Sequence, residues 1–248
     1  AGCTSCAAGY WGTSVRAESG CAVVGDGYYS PTLDNSRYTC GTYSNGGSTV
    51  TAAYTTPTTT SDDEGDCTCS AGYEGSLSGN QVTCTQCTDA AYKTSDGDGA
   101  YTACAPGYVG TATTQTSNAG CDSCAAGYWG DSVSAESGCD VVGTGYYSPT
   151  LDNSRTQCNT GYSTTTTSSS SCDACAAGYG GTSTAAGAGT LNTDGCSACG
   201  TGKYQTSIAV TTTCLTCGSD TSAASVPAGY TTAATASTAA SDCLCDAG

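Results

Sequence analysis

Ala1-Gly2-Cys3-Thr4-Ser5-Cys6-Ala7-Ala8-Gly9-Tyr10-Trp11-Gly12 opens a block that returns at Ala119-Gly120-Cys121-Asp122-Ser123-Cys124-Ala125-Ala126-Gly127-Tyr128-Trp129-Gly130 with one change. Over the 40 residues from Ala1 and the 40 from Ala119, 33 are identical at an offset of 118, and Cys21 and Cys40 recur as Cys139 and Cys158. The chain carries an internal duplication. A smaller phrase, Cys-x-x-Gly-Tyr, lies inside it at Cys6, Cys69, Cys104, Cys124, Cys158 and Cys175. Repetition on this scale points to small stacked modules and away from one central core.

Composition supports the same reading. Leu, Ile, Val and Phe together number 18 of 248 residues. At roughly 25 cal/mol per Å² of buried apolar surface, so few large side chains cannot offset ordering costs of about 1–2 kcal/mol per residue. The 21 cysteines supply the alternative, since cross-links that restrict the unfolded chain stabilise by about 2–4 kcal/mol each and stand in for a core in small extracellular modules. Ten bridges would leave one cysteine over. That residue is a free thiol, a bond to another chain, or a sign that a longer protein has been cut. Asp242-Cys243-Leu244-Cys245-Asp246-Ala247-Gly248 follows the pattern of Asp66-Cys67-Thr68-Cys69-Ser70-Ala71-Gly72 and stops before the expected Tyr, so the sequence reads as a processed or partial chain.

The expected fold is a set of small disulfide-rich repeats with short β-strands of two to five residues, turns and almost no helix, in an elongated rod or stacked solenoid-like array. Four stretches follow from the spacing. Residues 1–66 are a cysteine-rich block with a Thr-rich spacer, and 67–118 are a diverged module. Residues 119–171 are the second copy followed by a Ser/Thr linker, and 172–248 are closely spaced Cys-x-x-Cys modules.

The formal charge of -16 repels nucleic-acid phosphate and anionic lipid. No apolar run is long enough to insert into a bilayer. With no histidine a His-centred triad is excluded, and the acid pair Asp62 and Glu64 has no apolar pocket to raise one pKa, so an enzyme is not expected. Cys196-x-x-Cys199 with Cys214-x-x-Cys217, or Cys172-x-x-Cys175 with Cys196-x-x-Cys199, has the spacing of a four-thiolate zinc site. That reading leaves Cys21, Cys40, Cys139 and Cys158 unexplained, so disulfides are preferred and no cofactor is expected. Asp62, Asp63, Glu64 and Asp66, and likewise Asp96 and Asp98, allow weak Ca²⁺ binding but form no complete calcium loop; a solvated acidic turn is the preferred reading.

The spacing Cys3, Cys6, Gly9, Tyr10, Cys21 and again Cys121, Cys124, Gly127, Tyr128, Cys139 resembles the cysteine-rich repeats of ephrin-receptor-like, EGF-like and growth-factor-receptor domains. It is most similar to those of large protist surface proteins: ciliate surface antigens and the shaft proteins of algal flagellar hairs (mastigonemes). The resemblance implies structural roles. Cys3, Cys6, Cys21 and Cys40, with Cys121, Cys124, Cys139 and Cys158, would be bridged, Gly9 would turn the chain, and Tyr10 would pack on a disulfide.

Nine of the 17 tyrosines directly follow glycine. Each either packs over the disulfide of its module or meets a neighbour, and Trp11, Tyr28, Tyr29, Trp129, Tyr146 and Tyr147 are the candidate assembly contacts. Thr58, Thr59 and Thr60 beside Pro57, and Thr164, Thr165, Thr166 and Thr167, are candidate O-glycosylation sites, because no Asn-x-Ser/Thr sequon occurs. The expected function is a structural subunit of an extracellular filament or surface coat, homopolymeric and held together by disulfides. The alternative is a monomeric receptor-like or antigenic ectodomain that binds a ligand or host surface.

Overall fold

A glycine in the left-handed region followed by a tyrosine begins the recurring element. Gly127, at φ 83°, makes a turn that costs a side-chain-bearing residue strain, and Tyr128 after it enters the two-residue strand Tyr128–Trp129. The computed structural model of the chain describes residues 4–13, 20–41, 52–78, 81–112, 114–184, 195–219 and 225–245. Among them the strands form twelve small antiparallel sheets, and helix is confined to single 3-10 turns at Glu64–Asp66, Asn118–Gly120 and Ala240–Asp242. No helix among the described residues is long and apolar enough to cross a membrane.

Two compact units divide the chain, Ala1–Cys104 with Gly110–Cys121, and Ala105–Val109 with Asp122–Gly248. The first unit holds five hairpins. They pair Tyr10–Trp11 with Ala22–Val23, Tyr28–Tyr29 with Tyr38–Thr39, Tyr54–Thr55 with Thr68–Cys69, Tyr73–Ser78 with Gln81–Gln86, and Ala91–Tyr92 with Thr102–Ala103. The second holds Tyr108–Val109 with Ser123–Cys124, Tyr128–Trp129 with Asp140–Val141, Tyr146–Tyr147 with Thr156–Gln157, and Tyr162–Ser163 with Ala174–Cys175. Tyr179–Thr182 there joins Cys196–Ala198 and Thr211–Thr212, Lys203–Tyr204 joins Leu215–Thr216, and Tyr230–Thr232 joins Cys243–Cys245. The six-residue strands Tyr73–Ser78 and Gln81–Gln86 exceed the two to five residues expected. Val82, Thr83 and Thr85 favour extended backbone and lengthen that ladder.

Backbone hydrogen bonds stack successive turns of chain in threes. In the first unit Gly9 donates to the Ser30 carbonyl at 2.9 Å and Ser30 to that of Ser61 at 3.1 Å, while Gly72 donates to Lys93 and Lys93 to Gln115, each at 3.0 Å. In the second, Gly127 donates to Ser148 at 2.8 Å and Ser148 to Ser169 at 3.1 Å, and Gly178, Gln205 and Ser237 repeat the pattern at 2.8 and 3.1 Å. Each such triplet is one structural repeat, and the 118-residue duplication spans two of them. Triplets of this kind are the stacked, solenoid-like array that the sequence implied, within each unit.

This stacking corrects two spacer assignments. The Thr-rich stretch before Asp66 and the Ser/Thr stretch Thr164–Ser171 are the third turns of their triplets. Thr56 Oγ1 accepts from Gly27 N–H at 3.2 Å and donates to the Thr58 carbonyl at 3.0 Å. Thr164 does the same with Gly145 and Thr166 at 3.2 and 2.9 Å, and Thr232 with Gly202 and Ala234 at 3.0 and 2.8 Å. A buried threonine hydroxyl thus satisfies two backbone groups that would otherwise go unpaired where the stacked turns exclude water. Residues 42–51 of the first spacer lie outside the described residues.

Among the described residues, nine disulfides replace a large core. Cys6–Cys21, Cys69–Cys84, Cys124–Cys139 and Cys175–Cys196 close the first turn of each triplet. Cys40–Cys67, Cys104–Cys121, Cys158–Cys172 and Cys217–Cys243 start at the cysteine that ends each second turn, and Cys199–Cys214 lies within the second turn of the last triplet. Tyrosines pack against these bridges: Tyr29 with Cys40, Cys67 and Cys69 in the first unit, Tyr147 and Tyr162 with Cys172 in the second.

Candidate functional site

One position rule recurs in three hairpins. There the bonded cysteines are the residue four before the first strand and the residue just before the second, as Cys6 and Cys21 flank Tyr10–Trp11 and Ala22–Val23, Cys124 and Cys139 flank Tyr128–Trp129 and Asp140–Val141, and Cys199 and Cys214 flank Lys203–Tyr204 and Leu215–Thr216. In three second turns the rule finds no pair of cysteines. Those positions hold Val24 with Arg37, Val142 with Arg155, and Cys87 with Tyr101. The backbone is the same throughout. The N–H groups of Val24, Cys87, Val142 and Cys199 donate to the carbonyls of Gly9, Gly72, Gly127 and Gly178 at 3.1, 3.0, 3.1 and 2.8 Å.

In two of these turns arginine takes the place of the missing bridge. The Arg37 guanidinium lies 4.3 Å from the ring centre of Trp11 and 4.1 Å from that of Tyr28, and its Nη1 donates to the Val24 carbonyl at 3.4 Å. Arg155 lies 4.2 Å from Trp129 and 4.6 Å from Tyr146, and donates to the Val142 carbonyl at 3.1 Å. A flat cation sandwiched between two ring faces is attracted by both quadrupoles. Each clamp joins the first turn of its triplet, through Trp, to the second, through Tyr. Arg37 Nε is buried without an acceptor, so the two rings are its compensation.

These clamps settle where the candidate aromatic contacts lie. Trp11, Tyr28, Trp129 and Tyr146 hold arginines of their own chain, and Tyr29 and Tyr147 are buried. Sequence reasoning passed over Arg37 and Arg155, although two of only five cations recurring beside the duplicated tyrosines was the signal. Among the described residues, the aliphatic side chains larger than alanine that both copies leave in solvent are Val23 and Leu33, with their counterparts Val141 and Leu151. Leu33 and Leu151 sit at φ 64° and 61°, third in turns closed by Asp34 N–H to the Pro31 carbonyl and Asp152 N–H to that of Pro149. Glycine or asparagine fits such a position at lower cost, by about 1 kcal/mol.

Of the expected bridge residues, Cys6, Cys21, Cys40, Cys121, Cys124, Cys139 and Cys158 are bonded as given above, and Cys3 lies outside the described residues. Cys87, buried, and Cys245, exposed, are free thiols. The cysteines with zinc-like spacing are divided among separate bridges, Cys158–Cys172, Cys175–Cys196, Cys199–Cys214 and Cys217–Cys243, so their sulfurs are not thiolates. Four of the six acidic residues considered for calcium hold backbone. Asp63 accepts from Gly65 N–H at 2.7 Å, Asp66 from Asp62 N–H at 3.0 Å, Asp96 from Ala71 N–H at 2.9 Å, and Asp98 from Cys69 N–H at 3.3 Å.

Thr164 is a correction among the glycosylation candidates, because its buried hydroxyl is spent on Gly145 and Thr166 and has no room for a sugar. Thr165 donates to Asp173 at 2.8 Å, Thr166 pairs with Ser169 at 2.9 Å, and Thr58 with Ser61 at 3.4 Å. Thr59, Thr60 and Thr167 are exposed.

Fold and clamps together define a disulfide-stitched β and turn repeat protein in which three second turns are held without a covalent bond. No family model matches the chain, and no curated protein matches it.

Proposed function

We propose that this chain is a non-catalytic structural subunit of an extracellular filament or surface coat. The observation that carries the reading is the recurrence, on one backbone plan, of the same displayed apolar side chains: Val23 with Leu33, and Val141 with Leu151. A surface that occurs twice in a chain suits packing against further copies, through heterologous contacts that need not close. The aromatic residues named from the sequence support assembly indirectly, by holding the turns that carry these side chains. Nine disulfides among the described residues support folding in an oxidising compartment, and O-linked sugar on Thr59, Thr60 and Thr167 would suit an exposed coat. Similarity of the cysteine and Gly-Tyr spacing to ciliate surface antigens and algal flagellar-hair shafts supports the same class.

Sedimentation and electron microscopy of native, oxidised protein test this. Ordered polymers are expected, and Leu33→Asp with Leu151→Asp should abolish them while leaving the bridges intact. A monodisperse monomer with its disulfides and sugars in place would overturn the filament and favour the receptor-like ectodomain.

A further inference from the structure

The nine bridges among the described residues never overlap along the chain. Each closes before the next opens, in the order Cys6–Cys21, Cys40–Cys67, Cys69–Cys84, Cys104–Cys121, Cys124–Cys139, Cys158–Cys172, Cys175–Cys196, Cys199–Cys214 and Cys217–Cys243. A pull on the two ends of such a chain passes through every bridge and leaves the loop behind it slack. Most bridges follow one another after only one or two residues. Three gaps are long: 18 residues between Cys21 and Cys40, 19 between Cys84 and Cys104, and 18 between Cys139 and Cys158.

Those gaps are the second turns that lack the cysteine pair. Nothing covalent retains them. The first is held by the Arg37 clamp and by hydrogen bonds to the turns on either side, Gly9 N–H to Ser30, Ser30 N–H to Ser61 and Gly25 N–H to Thr59. The third is held likewise by Arg155, with Gly127 N–H to Ser148, Ser148 N–H to Ser169 and Gly143 N–H to Thr167. In the last triplet the equivalent turn is locked by Cys199–Cys214.

We propose that residues 22–39, 85–103 and 140–157 are force-released length reserves, turns that peel away under tension while the bridged turns stay closed. At about 3.3–3.6 Å per extended residue, each reserve supplies roughly 60 Å of contour. Because the flanking bridges keep their loops closed, a released turn has intact neighbours to dock against when the load falls. Extension of this kind is a property a fully bridged chain of the same length would lack. It stands on the bridge order alone, so a chain that never polymerises still yields under load, and a filament whose subunit does not yield overturns only this inference.

Single-molecule force extension of the oxidised 248-residue chain, tethered at both ends, is the test. Three increments of roughly 60 Å each are expected before any reductant is added. Tyr101→Cys supplies the partner missing from Cys87 and should remove one increment, and Val142→Cys with Arg155→Cys, copying Cys199 and Cys214, should remove another. Mass spectrometry after refolding with oxidised glutathione verifies each new bridge by the loss of two hydrogens, so a misfolded variant is recognised before it is pulled. A second readout is alkylation of Cys87, buried at rest, which should rise under load in the parent chain and be absent with Tyr101→Cys, where the new bridge leaves no thiol at Cys87. Absence of the increments in the parent chain, or three increments retained once the new bridges are verified, would overturn the proposal.

Discussion

Arg155 lies 4.2 Å from the ring centre of Trp129, and Arg37 keeps the same relation to Trp11 at 4.3 Å, although neither tryptophan is within 20 residues of its arginine in sequence. The pairing ties the first turn of a triplet to the second where the bridge present at Cys199–Cys214 is replaced by a valine and an arginine. A surface ion pair would contribute little here. Two ring faces and a backbone carbonyl do more, because the same cation is attracted by both rings while it donates to the carbonyl.

Arg155→Ala is expected to lower the local stability of residues 140–157 by about 1–2 kcal/mol, from two ring contacts of about 0.5–1 kcal/mol each for an exposed cation. Hydrogen exchange at the Val142 and Cys158 amides, which donate to Gly127 and Gly145, should speed up accordingly. Arg155→Lys should recover only part of the protection, since an ammonium does not stack flat between rings. Unchanged exchange in Arg155→Ala would show that the backbone bonds alone hold this turn.

Gly127 and Gly143 separate conformational strain from collision. Both have positive φ, 83° and 84°, but a Cβ on Gly127 would strike the backbone carbonyl of Ser168 whereas one on Gly143 meets nothing within 4 Å. Gly143→Ala should therefore cost about 1 kcal/mol and Gly127→Ala at least about 2–3 kcal/mol. Denaturant melts of the oxidised protein give the comparison, and equal costs would mean that the third turn shifts freely.

Cys87 behaves as a small apolar residue. It occupies the position filled by Val24 and Val142, and burial is the main cause that pushes its thiol pKa up, with Glu74 adding to the shift and Lys93 opposing it. Cys87→Val is expected to change stability by less than about 1.5 kcal/mol. Alkylation of the native protein at neutral pH, mapped by peptide, should label exposed Cys245 and spare Cys87. Rapid labelling of Cys87 would contradict its burial.

Tyr38 donates to Asp34 Oδ2 at 2.6 Å, and this bond, ahead of that from Ser36 N–H, holds the Asp34 carboxyl below its ordinary value. The folded state thus binds that proton less readily than the unfolded chain, so the contribution is present above the usual carboxylate range and fades as pH falls through the folded value. Tyr38 shifts the opposite way, upward, chiefly through the same bond, so its share persists below the usual phenol range and fades as pH rises through the raised value. Carbon-detected NMR titration of Asp34 should show its pKa rise in Tyr38→Phe. No change would assign the shift to Ser36 alone.

Several features were legible because they depend on local chemistry. The scarcity of leucine, isoleucine, valine and phenylalanine announced bridges in place of a core, and the duplication announced stacked modules. The triplet was hidden, because Ser30, Lys93, Ser148 and Gln205 occupy one structural position through their backbone groups, which leave no mark on residue identity. For the same reason Thr164 read as linker although its hydroxyl is buried.

By itself, then, the sequence determined the material of this protein: cysteine-rich modules of short strands, with almost no helix and too little apolar area to fold without cross-links. Only the tertiary structure decided which cysteines pair, which turns go unbridged, and that Trp11 and Trp129 face arginines of their own chain. The physical reason is range. Turn and strand preferences act over a few residues, whereas a disulfide or a stacked cation requires two side chains brought together by chain that folds between them, and that geometry exists only once the turns have stacked.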